Sequence, residues 1–183
     1  MALASINPAG LKEAFNAAPN SARVEEREYI DSNGNIVKHV VAVFAKDFPV
    51  NPELIFEFPL PIATYATSIG AVYRYFAELP LAAGAVVWEM AVMILRGSTA
   101  LNVVNLDAWG TPTVVAADTV PATAGQIKVL STTVAIAFMG NIVTPAAGDI
   151  CRLRLRRLNS AANPTDTLAG PAYILGGVDI QST

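Results

Sequence analysis

Apolar and polar residues alternate with a period of two through much of this chain. In "DICRLRLRRL", residues 149–158, Cys151, Leu153 and Leu155 alternate with Arg152, Arg154 and Arg156. Successive side chains of a strand point to opposite faces, so this pattern predicts a strand with an apolar side and an arginine side. "ELIFEFPL" repeats the design, with Leu54, Phe56 and Phe58 opposed to Ile55 and Glu57. "AVVWEMAVMIL" is a long apolar run rich in β-branched residues. In "REYIDSNGNIVKHVVAVFAK", Asn33-Gly34 separates two β-prone segments. Asn-Gly readily takes the positive φ angles of a tight hairpin turn. "ALNVVNLDAW", "TPTVVAA", "QIKVLSTTVAIAF" and "AYILGGVDI" complete the strand set, with Gly-, Pro- and Asp-rich turns between them. About eight to ten short strands at this spacing predict an antiparallel sandwich or barrel.

Two segments depart from the pattern. In Ile62–Leu79, Tyr65, Ile69, Tyr73 and Ala77 recur at helical spacing, so a connecting segment with some helix is expected there. Leu11–Ala18 has Leu11, Phe15 and Ala18 on one side of two helical turns, closed by Pro19. So short a helix needs a surface to lie on. Residues 1–25 are therefore expected to form an N-terminal arm whose Leu11 and Phe15 lie on its own domain or on a neighbour, and both are candidate interface residues. Residues 26–183 are expected to form one β domain.

Composition changes the picture in one respect. Apolar residues make up 53% of the 183-residue chain and charged residues only 15%, against roughly 25% charged in ordinary soluble domains. More apolar surface must be covered than one core requires. A spanning helix needs about 18 or more consecutive apolar residues. The most apolar region, Pro59–Leu95, is broken by Arg74, Glu78, Pro80 and Glu89. Neighbouring subunits are then the expected cover, and a homo-oligomer is predicted. The start "MALASINPAG" lacks the basic and apolar regions of a signal peptide, so export by the general route is not expected. A net charge of −3 offers no general attraction to nucleic acid or anionic lipid.

Candidate chemistry is sparse. His39 is the only histidine and Cys151 the only cysteine. A zinc site or a nucleophile–histidine arrangement needs more than these two residues offer. His39 is read as a structural strand residue and Cys151 as a small buried hydrophobe. "EEREYID" holds Glu25, Glu26, Glu28 and Asp31 without the spacing of a calcium loop, and reads as a solvated charged face. Glu57 and Glu89, which interrupt apolar strands, could pair in space as hydrolytic carboxylates. The plainer expectation is that they face outward or pair with arginine. No phosphate-binding glycine pattern is present, and no cofactor, metal or catalytic residue is assigned.

The arginine strand holds four of the chain's eight arginines within six residues. Aromatic side chains interleaved with them would favour stacking on single-stranded nucleic acid, and there are none. Arg152, Arg154 and Arg156 are expected to meet carboxylates of this chain or a neighbour, with the Glu25–Asp31 segment a candidate. Arg157 breaks the alternation, where a twist or bulge is expected. Trp88 lies inside an apolar strand and is expected in the core. Trp109, in the "LDAWGTP" turn, is the candidate platform for a glycan; the alternative is that it packs over the end of the sandwich.

The C-terminal third, "GDICRLRLRRL…DTLAGPAYILGGVDI", resembles the closing strands of jelly-roll proteins of tailed-bacteriophage particles. The likeness lies in a Gly-Asp turn, an arginine-alternating strand, an Asp166-Thr167 turn and a last strand. It is clearest over residues 148–180. It implies an all-β antiparallel jelly-roll β-sandwich, homotrimeric and located in the virion. It further implies a non-enzymatic cement or decoration subunit that bridges neighbouring subunits of the major capsid protein. Fibre and spike heads that bind receptors or glycans are the alternative it implies.

Overall fold

The computed structural model describes residues 2–6, 22–46, 51–60, 68–77, 84–96, 109–123, 125–135, 145–159 and 162–182. Its strands are β1 (Ala2–Ile6), β2 (Arg23–Ile30), β3 (Ile36–Phe44), β4 (Glu53–Pro59), β5 (Ser68–Phe76) and β6 (Ala85–Val86). They continue with β7 (Trp88–Leu95), β8 (Thr113–Val114), β9 (Asp118–Thr119), β10 (Lys128–Ala135), β11 (Ile150–Arg157) and β12 (Ala172–Ser182). No helix occurs among the described residues.

The pairing explains the architecture. β3 pairs with β12, β4 with β11, β5 with β10, β6 with β9 and β7 with β8, all antiparallel. The chain is thus one long hairpin, folded back between β7 and β8. Rolling it up adds the pairs β5–β12 and β7–β11. Two main sheets result among the described residues, ordered β10-β5-β12-β3-β2 and β4-β11-β7-β8, with β6 and β9 as a separate two-stranded pair. This is the jelly roll, an antiparallel sandwich of two Greek keys. β1 pairs with the far half of β12, from Val178 to Gln181.

Each sheet turns its period-two apolar side inward. Ile69, Ala71, Tyr73 and Tyr75 of β5 face Leu153 and Leu155 of β11 and Phe56 of β4 across one continuous core. Trp88 stands at its centre, with Phe44, Tyr73 and Tyr75 presenting ring edges at 5.0, 5.6 and 5.6 Å. Edge-to-face contacts of this kind add about 0.5–1.5 kcal/mol each beyond simple burial. Tyr75 also donates a 2.5 Å hydrogen bond to Asp118. Burial raises the hydroxyl pKa of both Tyr73 and Tyr75, so both hydroxyls stay protonated.

Two expectations are corrected here. Ile69 and Tyr73, expected on a helix, lie in strand β5. A spacing of four is even, so it fits a strand's two-residue period as well as a helical turn. The alternating burial of Ile69, Ala71, Tyr73 and Tyr75 shows which period won. Of the segment expected as an arm, Ala2–Ile6 pairs with β12, and Arg23–Glu25 belongs to β2. Leu11 and Phe15 lie outside the described residues.

The predicted Asn33-Gly34 turn joins β2 to β3. Gly34 has φ 83°, which suits glycine. Asp31 Oδ1 accepts from the Asn33 and Asn35 amides at 2.8 Å each, and Asn35 Nδ2 donates to Oδ2 at 3.1 Å. These bonds hold the Asp31 carboxyl below the usual carboxylate range.

Candidate functional site

Three places carry polar chemistry or open space: the outer face of the four-stranded sheet, the inner end of β11, and the outer face of the larger sheet.

On the four-stranded sheet, β11 lies between β4 and β7. Register sets Arg152 opposite Glu57, and Arg156 opposite both Glu53 and Glu89. Cross-strand neighbours on one face sit close enough for their side chains to pair. Arg152 Nε meets Glu57 at 2.6 Å, and Arg156 meets Glu89 at 2.7 Å. Arg154 reaches Glu89 at 3.3 Å and Glu53 at 3.9 Å. Three arginines therefore face three glutamates of the same chain. Desolvation lowers the Arg154 pKa, and Arg156 lowers it further; Glu53 and Glu89 act in the opposite sense. The Trp109 ring lies over this ladder, 4.8 Å from the Arg154 guanidinium and 5.4 Å from that of Arg152. Such cation–π contacts contribute about 0.5–2 kcal/mol each, depending on exposure. Trp109 thus stands on the arginine face.

The acid-rich segment does not supply the ladder's carboxylates. Glu25 pairs with Arg23 and Arg27, while Glu26 and Glu28 pair with Lys38. All of these stand on β2 and β3 of the other sheet. Glu57 and Glu89 are the arginine-paired carboxylates that the plainer expectation described.

At the inner end of β11 the sequence reading is corrected. Arg157 does not mark a break. It continues the inward series of Cys151, Leu153 and Leu155, and it is fully buried. Its guanidinium makes two hydrogen bonds to Asp166, from Nε at 2.9 Å and from Nη2 at 2.7 Å. The rest of its donors go to the carbonyls of Phe44, Gly170 and Leu168. Asp166 Oδ2 also accepts from the Val87 amide at 3.2 Å. The pair ties the segment before β12 to β3 and to Val87, which links β6 to β7. Cys151 is fully buried, and burial pushes its thiol pKa up, against a reactive thiolate.

The outer face of the larger sheet is built differently. Val41 and Val43 of β3, Phe76 of β5 and Tyr173 of β12 form a second, smaller apolar cluster, with Tyr29 of β2 and Leu175 packed on it. Phe76 stacks on Tyr173 at 5.1 Å and 16°. Tyr29 meets Phe76 edge-on at 6.0 Å and His39 at 5.8 Å. Strands β3 and β12 separate β2 from β5, which in a flat sheet would hold them about 14 Å apart. Ring contact across that gap means that the sheet curls and its side chains lean together. The curl leaves an open pocket of about 220 Å³ lined by Tyr29, His39, Phe76, Gly125, Ile127 and Leu175. Arg27 lies over the Tyr173 ring at 4.7 Å and pairs with Glu25. Beside Leu175, Arg74 pairs with Asp179 at 3.2 Å.

Sequence reasoning found the ladder and missed the pocket. Its lining comes from four strands and the 125–127 turn, and no local pattern joins them. His39 is exposed at its edge rather than packed within the strand face. Among the described residues no group of three metal-ligating side chains occurs, and no helix is long and apolar enough to cross a membrane.

No family model matches this chain, and no curated protein matches it. Among solved structures, the chain is similar to isomalto-dextranase of Arthrobacter globiformis T6 complexed with panose, with a TM-score of 0.42 and 15% identity. It is also similar to the enzymatically active domain of bacteriophage CBA120 tailspike protein 4, with a TM-score of 0.43 and 7% identity. The matches cover 87% and 100% of this chain but only 22% and 21% of those chains. A third similar structure is CBM28, a carbohydrate-binding module specific for non-crystalline cellulose, with a TM-score of 0.47 and 9% identity. That match covers 91% of this chain and 86% of the module. Likenesses this distant carry no argument about what this chain binds.

Proposed function

We propose that this chain is a non-enzymatic structural subunit of a virus particle, a cement or decoration protein that bridges neighbouring capsid subunits. The resemblance of its last strands to virion jelly rolls suggests the setting. One structural observation carries the reading. The charges of the arginine strand are compensated within the chain, while large apolar side chains stand outside the core. Ile30 and Ile36 at the end of the β2–β3 hairpin are 77% and 66% exposed, and Val129 of β10 is 58% exposed. Such a molecule has apolar surface to cover. Neighbouring copies cover it, in a homotrimer, together with the capsid shell.

The test has two parts. Light scattering coupled to size exclusion should give a trimer mass, and the protein should cosediment with capsids that lack it. Ile30→Asp with Ile36→Asp should abolish cosedimentation and leave the circular dichroism unchanged. A stable monomer that does not bind capsids would overturn the proposal, as would undiminished binding by the double variant.

A further inference from the structure

We infer that the outer face of the larger sheet carries a binding site for a single neutral sugar ring, seated against Tyr29 and Phe76 with its hydroxyl edge at His39. The site lies on a different face from the arginine ladder and does not depend on where in a particle the chain resides.

The size of the pocket sets the first limit. Its volume of about 220 Å³ falls below the roughly 300–1,000 Å³ of pockets that bury drug-sized ligands. It has room for one ring. The shape of the lining sets the second. Tyr29 and Phe76 meet edge-on, so they form two walls of a corner rather than a closed stack. Ile127 and Leu175 add apolar wall, and Gly125 has no side chain to fill the space. A ligand with an apolar face fits against such walls.

Charge sets the third limit. Arg27 is paired with Glu25, and Arg74 with Asp179. A charged ligand would have to compete with these pairs for a partner, whereas a neutral one leaves them intact. The last limit is polar. The His39 ring is exposed at the pocket edge, and no hydrogen bond to it is formed among the described residues. The two nitrogens of an imidazole ring can hydrogen-bond adjacent hydroxyls. A pyranose combines these requirements, since it has a C–H face, a hydroxyl edge and no charge. A purely apolar side chain would use the walls and leave His39 idle.

The chain's single histidine makes the test direct, because one ring signal reports on the site. The full-length protein is titrated at constant pH with glucose, galactose, mannose and N-acetylglucosamine, and the His39 ring resonances are followed by NMR. At least one sugar should shift them saturably, in the millimolar range expected for a single ring. Tyr29→Ala should weaken that response about tenfold, the upper end of what one aromatic contact supplies. Ile127→Trp, which fills the pocket from its exposed rim, should abolish the response in a protein whose other resonances are unmoved. No shift with any of the four sugars would overturn the inference. A shift that survives both substitutions would place the sugar elsewhere and overturn it too. Tighter binding of cyclohexanol than of every sugar would reassign the pocket to an apolar side chain of a protein partner.

Discussion

The two outer faces of this sandwich are finished in opposite ways. On the four-stranded sheet, Arg152, Arg154 and Arg156 meet Glu53, Glu57 and Glu89 across β4 and β7, and Trp109 lies over them. On the larger sheet, aromatic and β-branched side chains gather around Phe76 and Tyr173 and leave a pocket. The difference follows from register and shape. Opposite charges at facing register positions draw long side chains flat against the sheet, so that face closes on itself. Rings of fixed shape on a curled sheet do not tile it. The closed face serves stability, and the open one has room for a ligand.

The comparison breaks first, if it breaks, at β11, because this strand sends arginines to both of its sides. Asp166→Ala leaves the Arg157 guanidinium buried without a carboxylate. Removing one partner of a buried pair costs about 3–5 kcal/mol. Urea unfolding should show that loss as a lower midpoint. Replacing both residues, Arg157→Leu with Asp166→Leu, should cost less than Asp166→Ala alone, since no charge is then stranded. Glu57 is half-exposed, and Glu57→Ala should cost no more than about 1 kcal/mol. Equal losses for Asp166→Ala and Glu57→Ala would mean that the inner and outer arginines are alike in energy.

Glu89 is the next test. It is buried and serves both Arg154 and Arg156. Glu89→Gln keeps the shape and removes the charge, and should cost about 2–3 kcal/mol. A loss below about 0.5 kcal/mol would show that the ladder does not depend on its central carboxylate, and the closed face would need another explanation.

The two faces were not equally legible in the sequence. The period-two pattern foretold the strands and placed Arg152, Arg154 and Arg156 outward, and Asn33-Gly34 marked the hairpin. Glu57 and Glu89 stood out because an acid in an apolar strand needs a partner. Arg157 was misread because arginine is assumed to face water. The pattern itself put it inward, two places after Leu155, and the missing information was a carboxylate nine residues further on at Asp166. The β5 strand was hidden by a spacing of four that both periods share. The pocket had no signal at all, since Tyr29, Phe76 and Leu175 are neighbours only through sheet pairing and curl.

A smaller effect is expected on the open face. Tyr29 is half-buried and packs on Phe76 and His39 by ring contacts. Tyr29→Ala should cost about 1 kcal/mol of stability, less than Glu89→Gln, whatever it does to ligand binding. If instead it costs 3 kcal/mol or more, in the range of about 3–5 kcal/mol for emptying a packed aromatic core site, the small cluster is a second core. The contrast between a closed and an open face would then fail.

The smallest expected effect concerns the hairpin end of the larger sheet. Lys38 pairs with Glu26 and Glu28 at 3.2 and 3.1 Å, and hydrogen bonds to these carboxylates raise its pKa. All three side chains are more than half exposed. Water and salt screen such pairs, which often contribute nothing measurable. Lys38→Ala should therefore leave the urea midpoint unchanged at low and high salt alike. The hairpin has other supports, namely its ladder of backbone bonds and the Asp31 turn. A salt-dependent fall in the midpoint would show that charge holds this sheet too, as it holds the four-stranded one. An unchanged midpoint would show that this hairpin end does not depend on charge. Ile30 and Ile36 would then stand on a hairpin end that keeps its shape without ion pairs, and so offers a neighbour the same apolar contact at any ionic strength.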